Sequence, residues 1–260
     1  MTAPLPRRLL AELVGTGLLV TVVVGSGIAA QQLSPGQVGL QLLENSTTTM
    51  LGLAVLILLL GPVSGAHFNP VVSAVDWLLG RHARTGTGLA GREVLAYTIT
   101  QLLGAVGGAL LANIMFGLSV VQVSHKPRTS VGLWVGEVVA TAGLIALIMV
   151  LARTGRAALS ATAVGAYIGA AYWFTSSTSF ANPAVTVGRI FSDTFAGIAP
   201  ASVPGFVVAQ LVGGALGAGL VLALYPDADT AADQLVVPHP ATPDPAASPL
   251  SRGLSPREAP

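Results

Sequence analysis

The 260-residue chain contains no cysteine and very little charge. The missing cysteines exclude disulfides, thiolate metal sites and cysteine nucleophiles, and they leave the redox compartment open. Asp, Glu, Lys and Arg together make up 9% of the residues, against roughly a quarter in an ordinary soluble protein. Aromatic residues are 5%, while hydrophobic residues reach 52% and mean hydropathy is +0.74. So few charges cannot cover the surface of a soluble domain of this size, so lipid is the expected solvent. A net charge of +1 provides no basic field for nucleic acid. There is no HExxH, GxSxG or P-loop, no His/Cys/Asp/Glu set at metal-ligand spacing, and the acids are isolated, so the chain reads as a non-enzyme without cofactor or metal.

A membrane helix needs about 20 apolar residues. Six stretches approach that length, at about Leu9 to Ala30, Ser46 to Gly61, Val94 to Gly117, Val131 to Leu151, Ala157 to Thr175 and Val203 to Tyr225. The first is too long for a cleaved signal peptide and has no small-residue cleavage site. Basic residues in short loops favour the cytoplasm. With the N-terminus inside and six alternating spans, Arg7, Arg8, Arg81, Arg84, Arg92, Arg153, Arg156, Arg252 and Arg257 fall inside, and Lys126, Arg128 and Arg189 outside. Both termini are therefore expected in the cytoplasm. The chain divides into a cytoplasmic segment 1–8, a membrane domain 9–225 and a tail 226–260. The tail holds eight of the 17 prolines, interleaved with Ala, Asp and Ser, and reads as disordered.

The membrane domain repeats itself. Ala11-Glu12-Leu13-Val14-Gly15-Thr16-Gly17 in the first span is answered by Gly136-Glu137-Val138-Val139-Ala140-Thr141-Ala142 in the fourth. His67-Phe68-Asn69-Pro70-Val71-Val72 follows the second span as Phe180-Ala181-Asn182-Pro183-Ala184-Val185 follows the fifth. Gln101-Leu102-Leu103-Gly104 in the third span is answered by Gln210-Leu211-Val212-Gly213 in the sixth. Three crossings per half force the second half to enter from the opposite side, which makes the repeat inverted.

Asn is a strong helix N-cap and Pro is favoured at the first helical position, so Asn69-Pro70 and Asn182-Pro183 each start a helix. The apolar runs that follow, Val71 to Leu79 and Ala184 to Ile190, are about half a bilayer long. Each is expected to be a re-entrant half-helix, with the two starts meeting near the midplane. Two electropositive N-termini at one low-dielectric point repel cations and hydronium but leave neutral solutes untouched. The Asn side chains cap through their oxygens, and their NH₂ groups are free to donate to a passing oxygen. Segments 64–68 and 176–181, small and polar, line the wet path with carbonyls. Glu12 and Glu137, ionisable groups within spans, are read as carboxylates that hold this unwound chain rather than as a proton relay. His67 is read as structural or pore-lining.

These residues resemble the major intrinsic protein family, the aquaporins and aquaglyceroporins. Ser64-Gly65-Ala66-His67-Phe68-Asn69-Pro70-Val71 is similar to the family's first Asn-Pro-Ala box with Val71 in place of Ala, and Asn182-Pro183-Ala184 to the second box intact. Glu12 and Glu137 match its paired membrane glutamates. Over residues 8–225 the resemblance implies an all-α membrane fold of six helices plus two half-helices, a pore in each protomer and a homotetramer in the cell membrane.

The chain departs from the family at Val185, where water-selective members and common glycerol facilitators carry an Arg. Counting from the boxes assigns the filter to Thr49, Ser179, Val185 and either Ala170 or Gly169, a wide and uncharged set. Arg189, four residues on, is left to act in the outer vestibule or to pair with Asp193. The run Ser192-Asp193-Thr194-Phe195-Ala196-Gly197-Ile198 resembles a bacterial subgroup whose genes lie in arsenic-resistance operons. The resemblance therefore implies a passive channel for glycerol-like polyols, arsenite and water. A water-selective channel is the alternative, and an ion-coupled secondary transporter a more distant one.

Overall fold

The computed structural model describes residues 3–82 and 88–225. Among them eight α-helices follow in order: α1 (Leu5–Leu33), α2 (Val38–Ser64), α3 (Pro70–His82), α4 (Gly91–Met115), α5 (Val131–Arg153), α6 (Ser160–Phe174), α7 (Pro183–Gly188) and α8 (Val203–Leu224). Six of these, α6 and α8 counted with the short 3₁₀ turns that precede them, are long and apolar enough to cross a membrane. The other two, α3 and α7, are the half-helices. The tail 226–260, and with it Arg252 and Arg257, lies outside the described residues, as does Arg84.

Two boundaries differ from the hydropathy reading. Helix α1 begins at Leu5, inside the segment assigned to residues 1–8. Helix α2 begins at Val38, eight residues before the apolar run at Ser46. Two polar side chains in its first turns are buried with partners: Gln41 donates to the Ser34 carbonyl at 2.8 Å and Asn45 to the Val23 carbonyl at 2.9 Å. A hydropathy profile counts the amide but not its acceptor.

The two halves have matching packing. Helix α1 lies against α4 as α5 lies against α8, and the halves meet where α2 packs on α6 and where α3 and α7 approach each other. Glycines set the closeness of the α1–α4 and α5–α8 pairs. A Cβ at Gly104 would strike the Leu13 carbonyl oxygen, and one at Gly108 the Gly17 carbonyl oxygen. In the other half, a Cβ at Gly213 would come within 2.5 Å of the Val138 oxygen, and one at Gly217 would strike the Ala142 oxygen. Leu13 and Val138 occupy equivalent places in the repeat, as do Gly17 and Ala142, so the same backbone-on-backbone contact is built twice. Most side chains on the outer faces are apolar, such as Leu51, Val55, Leu59 and Leu103.

A Cβ added at Gly107 would point into open space, whereas one at Gly108 would run into backbone. Gly108→Ala should therefore lower the thermal unfolding midpoint in detergent by several degrees while Gly107→Ala leaves it within a degree or so. Equal midpoints for the two variants would contradict the close α1–α4 approach.

Candidate functional site

Between the spans runs a cavity of about 220 Å³. One end is bordered by Leu58, Pro62 and Ser160, the middle by His67, Asn69 and Asn182, and the other end by Thr49, Tyr172, Ser179, Val185 and Arg189.

At the middle, each Asn-Pro segment starts its half-helix through the side-chain cap. Asn182 Oδ1 accepts from the Ala184 and Val185 amides at 2.9 and 3.3 Å, and Asn69 Oδ1 accepts from the Val71 amide at 3.0 Å. The amide nitrogens differ from the expectation of free donors. Asn69 Nδ2 donates to the Ala181 carbonyl at 2.8 Å, and Asn182 Nδ2 donates to the Phe68 carbonyl at 2.7 Å. Each half-helix start is thus tied to the chain entering the other, with one N–H of each amide committed and the second left toward the passage.

Helical phase decides which neighbours border the cavity. Pro70 and Pro183 occupy the first helical position and Val71 and Ala184 the second, and none of the four lines it. Val71 turns toward Gly214 of α8, and Ala184 enters the apolar core. The third position does face the passage, with Val72 on α3 and Val185 on α7.

The chain before each half-helix is bent through left-handed backbone at Ala66, Phe68, Thr178, Ser179 and Ala181, with φ between 47° and 62°. For residues with a Cβ this conformation costs about 1–2 kcal/mol each. Two fully buried carboxylates hold it in place. Glu12 accepts from the His67 and Phe68 amides at 3.0 and 2.8 Å, and from Ser64 Oγ at 2.7 Å. Glu137 accepts from the Phe180 and Ala181 amides, both at 2.8 Å.

A second pair of residues completes these networks. Gln101 Nε2 donates to Glu12 at 2.7 Å and to Ser73 Oγ at 3.2 Å. Gln210 Nε2 donates to Glu137 at 2.6 Å and to Thr186 Oγ1 at 2.9 Å. Both glutamines stand out in the sequence repeat, and their place within spans is the signal that could have marked them as partners of the glutamates. His67 lines the cavity with Nδ1 3.0 Å from Ser73 Oγ and its ring 5.4 Å from that of Tyr97.

At the mouth beside α7, Thr49, Ser179 and Val185 come together on the cavity wall, but Ala170 does not. Ala170 lies on the exposed face of α6, and Gly169 packs against Met50 of α2. Counting back from Asn182 crosses the irregular segment 175–181 and loses the helical phase. The α6 residues on the cavity side are Ser160 and Ala161 at its start and then Val164, Ile168 and Tyr172, one turn apart. The Tyr172 and Thr49 hydroxyls lie 3.2 Å apart.

Nor is the mouth uncharged. Arg189 is only 2% exposed and borders the cavity, with its guanidinium 3.4 Å from the Phe180 ring centroid and Nε donating to the Ala196 carbonyl. It does not pair with Asp193, whose carboxylate takes the His125 amide at 2.9 Å and the His125 ring at 3.0 Å. Hydrogen bonds from His125, the backbone N–H first, hold that exposed carboxyl below the usual carboxylate range. Arg128 lies 5.0 Å from the same Phe180 ring and donates through Nε to the Gly197 carbonyl at 3.0 Å. Burial pushes Arg128 down to about 10 against the pull of Glu137. Burial, reinforced by Arg128 and Arg189, pushes Lys126 down to about 8.

The chain is similar to known proteins. The major intrinsic protein family model matches residues 1–179. The chain is 50% identical over 209 residues to the aquaglyceroporin AqpS of Rhizobium meliloti, covering 80% of this chain and 86% of that protein. It is 33% identical over 260 residues to the glycerol uptake facilitator protein of Pseudomonas aeruginosa, covering 84% of this chain and 89% of that one. The aquaglyceroporin structure from Plasmodium falciparum superposes with a TM-score of 0.63 at 21% identity, over 88% of this chain and all of that one, and shares its fold.

Glu137→Gln keeps the shape of the side chain but turns an NH₂ either toward the Phe180 amide or toward the Ala181 amide and Gln210, leaving buried donors without an acceptor. The expected cost is about 1–3 kcal/mol, measurable as a lowered unfolding midpoint in detergent together with reduced solute flux. A variant as stable and as active as the parent would remove Glu137 from the support of the α7 entry.

Proposed function

The chain belongs to the major intrinsic protein family, and from that premise we propose a passive channel of the cell membrane that passes small neutral solutes and rejects ions and protons. Glycerol-like polyols are the solute class, with arsenite and water also permeating. The observation that carries this reading is the reciprocal pairing of Asn69 and Asn182 with the chain entering the opposite half-helix. It holds two electropositive helix starts side by side on the cavity wall, where a cation meets an uncompensated positive field and a neutral molecule does not.

The passage is also amphipathic across its width. Asn amides and His67 share it with Val72, Leu144, Ile148, Ile168 and Val185. A polyol can turn its hydroxyls to the first set and its carbons to the second, and a hydrated ion finds no shell to replace its own. The resemblance of the Ser192–Ile198 run to the arsenic-operon subgroup supports arsenite, a flat trihydroxy molecule of glycerol's size.

Both termini lie in the cytoplasm in this reading, supported by nine basic residues on that side against three on the other. Four protomers assemble in the membrane, each with its own passage, and residues 226–260 form a cytoplasmic tail. The buried acids Glu12 and Glu137 are occupied by backbone amides and glutamines, which leaves neither of them as a ligand for a coupling ion and weighs against a transporter.

Stopped-flow light scattering on proteoliposomes tests the reading. Glycerol should re-swell shrunken vesicles well above the protein-free rate, with no dependence on a Na⁺ or H⁺ gradient. Water flux alone would establish a water-selective channel, and gradient-dependent, saturable uptake a transporter. Val185→Arg, which places a bulky cation at the third position of α7, should reduce glycerol flux more than water flux. Equal reduction of both with correct folding would overturn the assignment of Val185 to the filter.

A further inference from the structure

A buried guanidinium ordinarily needs a counter-charge. Removing a cation from water costs several kcal/mol unless carboxylates or a full set of hydrogen bonds compensate. Arg189 has neither. Among the described residues the ion pairs are Arg8–Glu93 and His125–Asp193, and neither reaches the α7 mouth's arginines. Its Nε is taken by the Ala196 carbonyl and its π-face rests on Phe180. The Nη1 and Nη2 groups, four N–H donors, make no hydrogen bond to any described residue. They belong to a side chain on the cavity wall, so the passage is where their partners must come from.

The surroundings narrow what those partners are. Ser179 Oγ is buried and has no hydrogen-bond partner among the described residues, although Ser179 also lines the cavity. Val185 and the Phe180 ring supply apolar wall beside it. Arg128 and Lys126 add positive charge nearby and are held by carbonyls, and Glu137, which takes the Phe180 and Ala181 amides, forms no ion pair with either arginine, so the field at this mouth stays cationic. A planar fork of donors matches two oxygen atoms on adjacent atoms better than one point charge does.

We propose that Arg189 is a specificity-determining residue of the passage, its Nη donors taking two neighbouring hydroxyl oxygens of a polyol at the place that Val185 leaves open, with Ser179 Oγ meeting the next hydroxyl. The filter cation is thereby supplied one helical turn further along, from the 3₁₀ turn that extends α7. The opening is wider than a filter with Arg at position 185 would allow, yet it keeps a donor fork and a cation barrier. This inference rests on the channel reading above: glycerol flux through the wild-type chain is the measure of that reading, and the effect of position 189 on the glycerol-to-water ratio is the measure of this one.

The test is stopped-flow on proteoliposomes of the full chain with Arg189→Met and Arg189→Lys. Loss of the fork should lower glycerol permeability about tenfold in Arg189→Met, the size of losing hydrogen bonds to a charged donor, while water permeability stays within about twofold. Arg189→Lys, which keeps the charge and most of the stem, should lie between. Because the chain has no cysteine, Arg189→Cys gives a second readout that a purely structural role would not move. A bulky methanethiosulfonate reagent should block glycerol and water flux in Arg189→Cys and leave the wild type untouched. An unchanged glycerol-to-water ratio in both substitutions, an equal fall of the two fluxes, or a Cys variant indifferent to the reagent would each overturn the proposal. If Arg189→Met fails to fold, the ratio measured on Arg189→Lys decides: a fall of about threefold or more supports it, and no change overturns it.

Discussion

A peptide group in hydrocarbon has no water to turn to, so chain that leaves the helix inside a membrane must find every partner within the protein. The functional architecture here depends on meeting that demand twice. Opening segments 64–68 and 176–181 frees carbonyls to face a passage, but it also frees N–H groups with nowhere to donate. Glu12 and Glu137 take four of those N–H groups between them. A carboxylate is acceptor-only, so it gathers several donors converging from one side, which an amide or hydroxyl cannot do as well. The donors in turn offset the desolvation of the charge. Gln101 and Gln210 close each network by joining the carboxylate to Ser73 or Thr186 one turn inside the half-helix.

The same economy governs the half-helices. The cap oxygen of each Asn is used within its own segment and one N–H in the opposite one. The glycine contacts between α1 and α4, and between α5 and α8, bring the scaffold close enough for the short helices to be gripped by two long ones each. Rigid elements therefore position a site that is itself almost entirely irregular backbone and helix ends.

Much of this is legible in the sequence because its causes are local. Apolar length marks a span, Asn followed by Pro marks a helix start, and Glu in a span marks an obligation. Three blocks recurring in the same order, with three crossings in each half, give the inverted topology. What cannot be read is what depends on helical phase across an irregular segment. Counting to Ala170 passes through residues 175–181, where no regular period holds, and it is Tyr172 that faces the cavity. Val71 and Ala184 sit in the boxes but turn away, and Val72 turns in. Arg189 poses the same difficulty in reverse: its distance from Val185 along the chain suggests a vestibule residue or a partner of Asp193, and the 3₁₀ turn that follows α7 carries its side chain back over Phe180. The early start of α2 is hidden because Gln41 and Asn45 are polar in composition and satisfied only in three dimensions.

The crossed amide bonds of Asn69 and Asn182 also bear on how the molecule is made. Synthesis delivers residues 64–82 long before residues 176–191 exist, so the first re-entrant segment enters the bilayer with the Phe68 carbonyl and an Asn69 N–H still lacking the donor and acceptor that complete them. Those groups are satisfied only when the later half arrives from the other leaflet. Neither half can complete the central junction alone, which closes only once residues 181–182 have been made and brought beside residues 68–69.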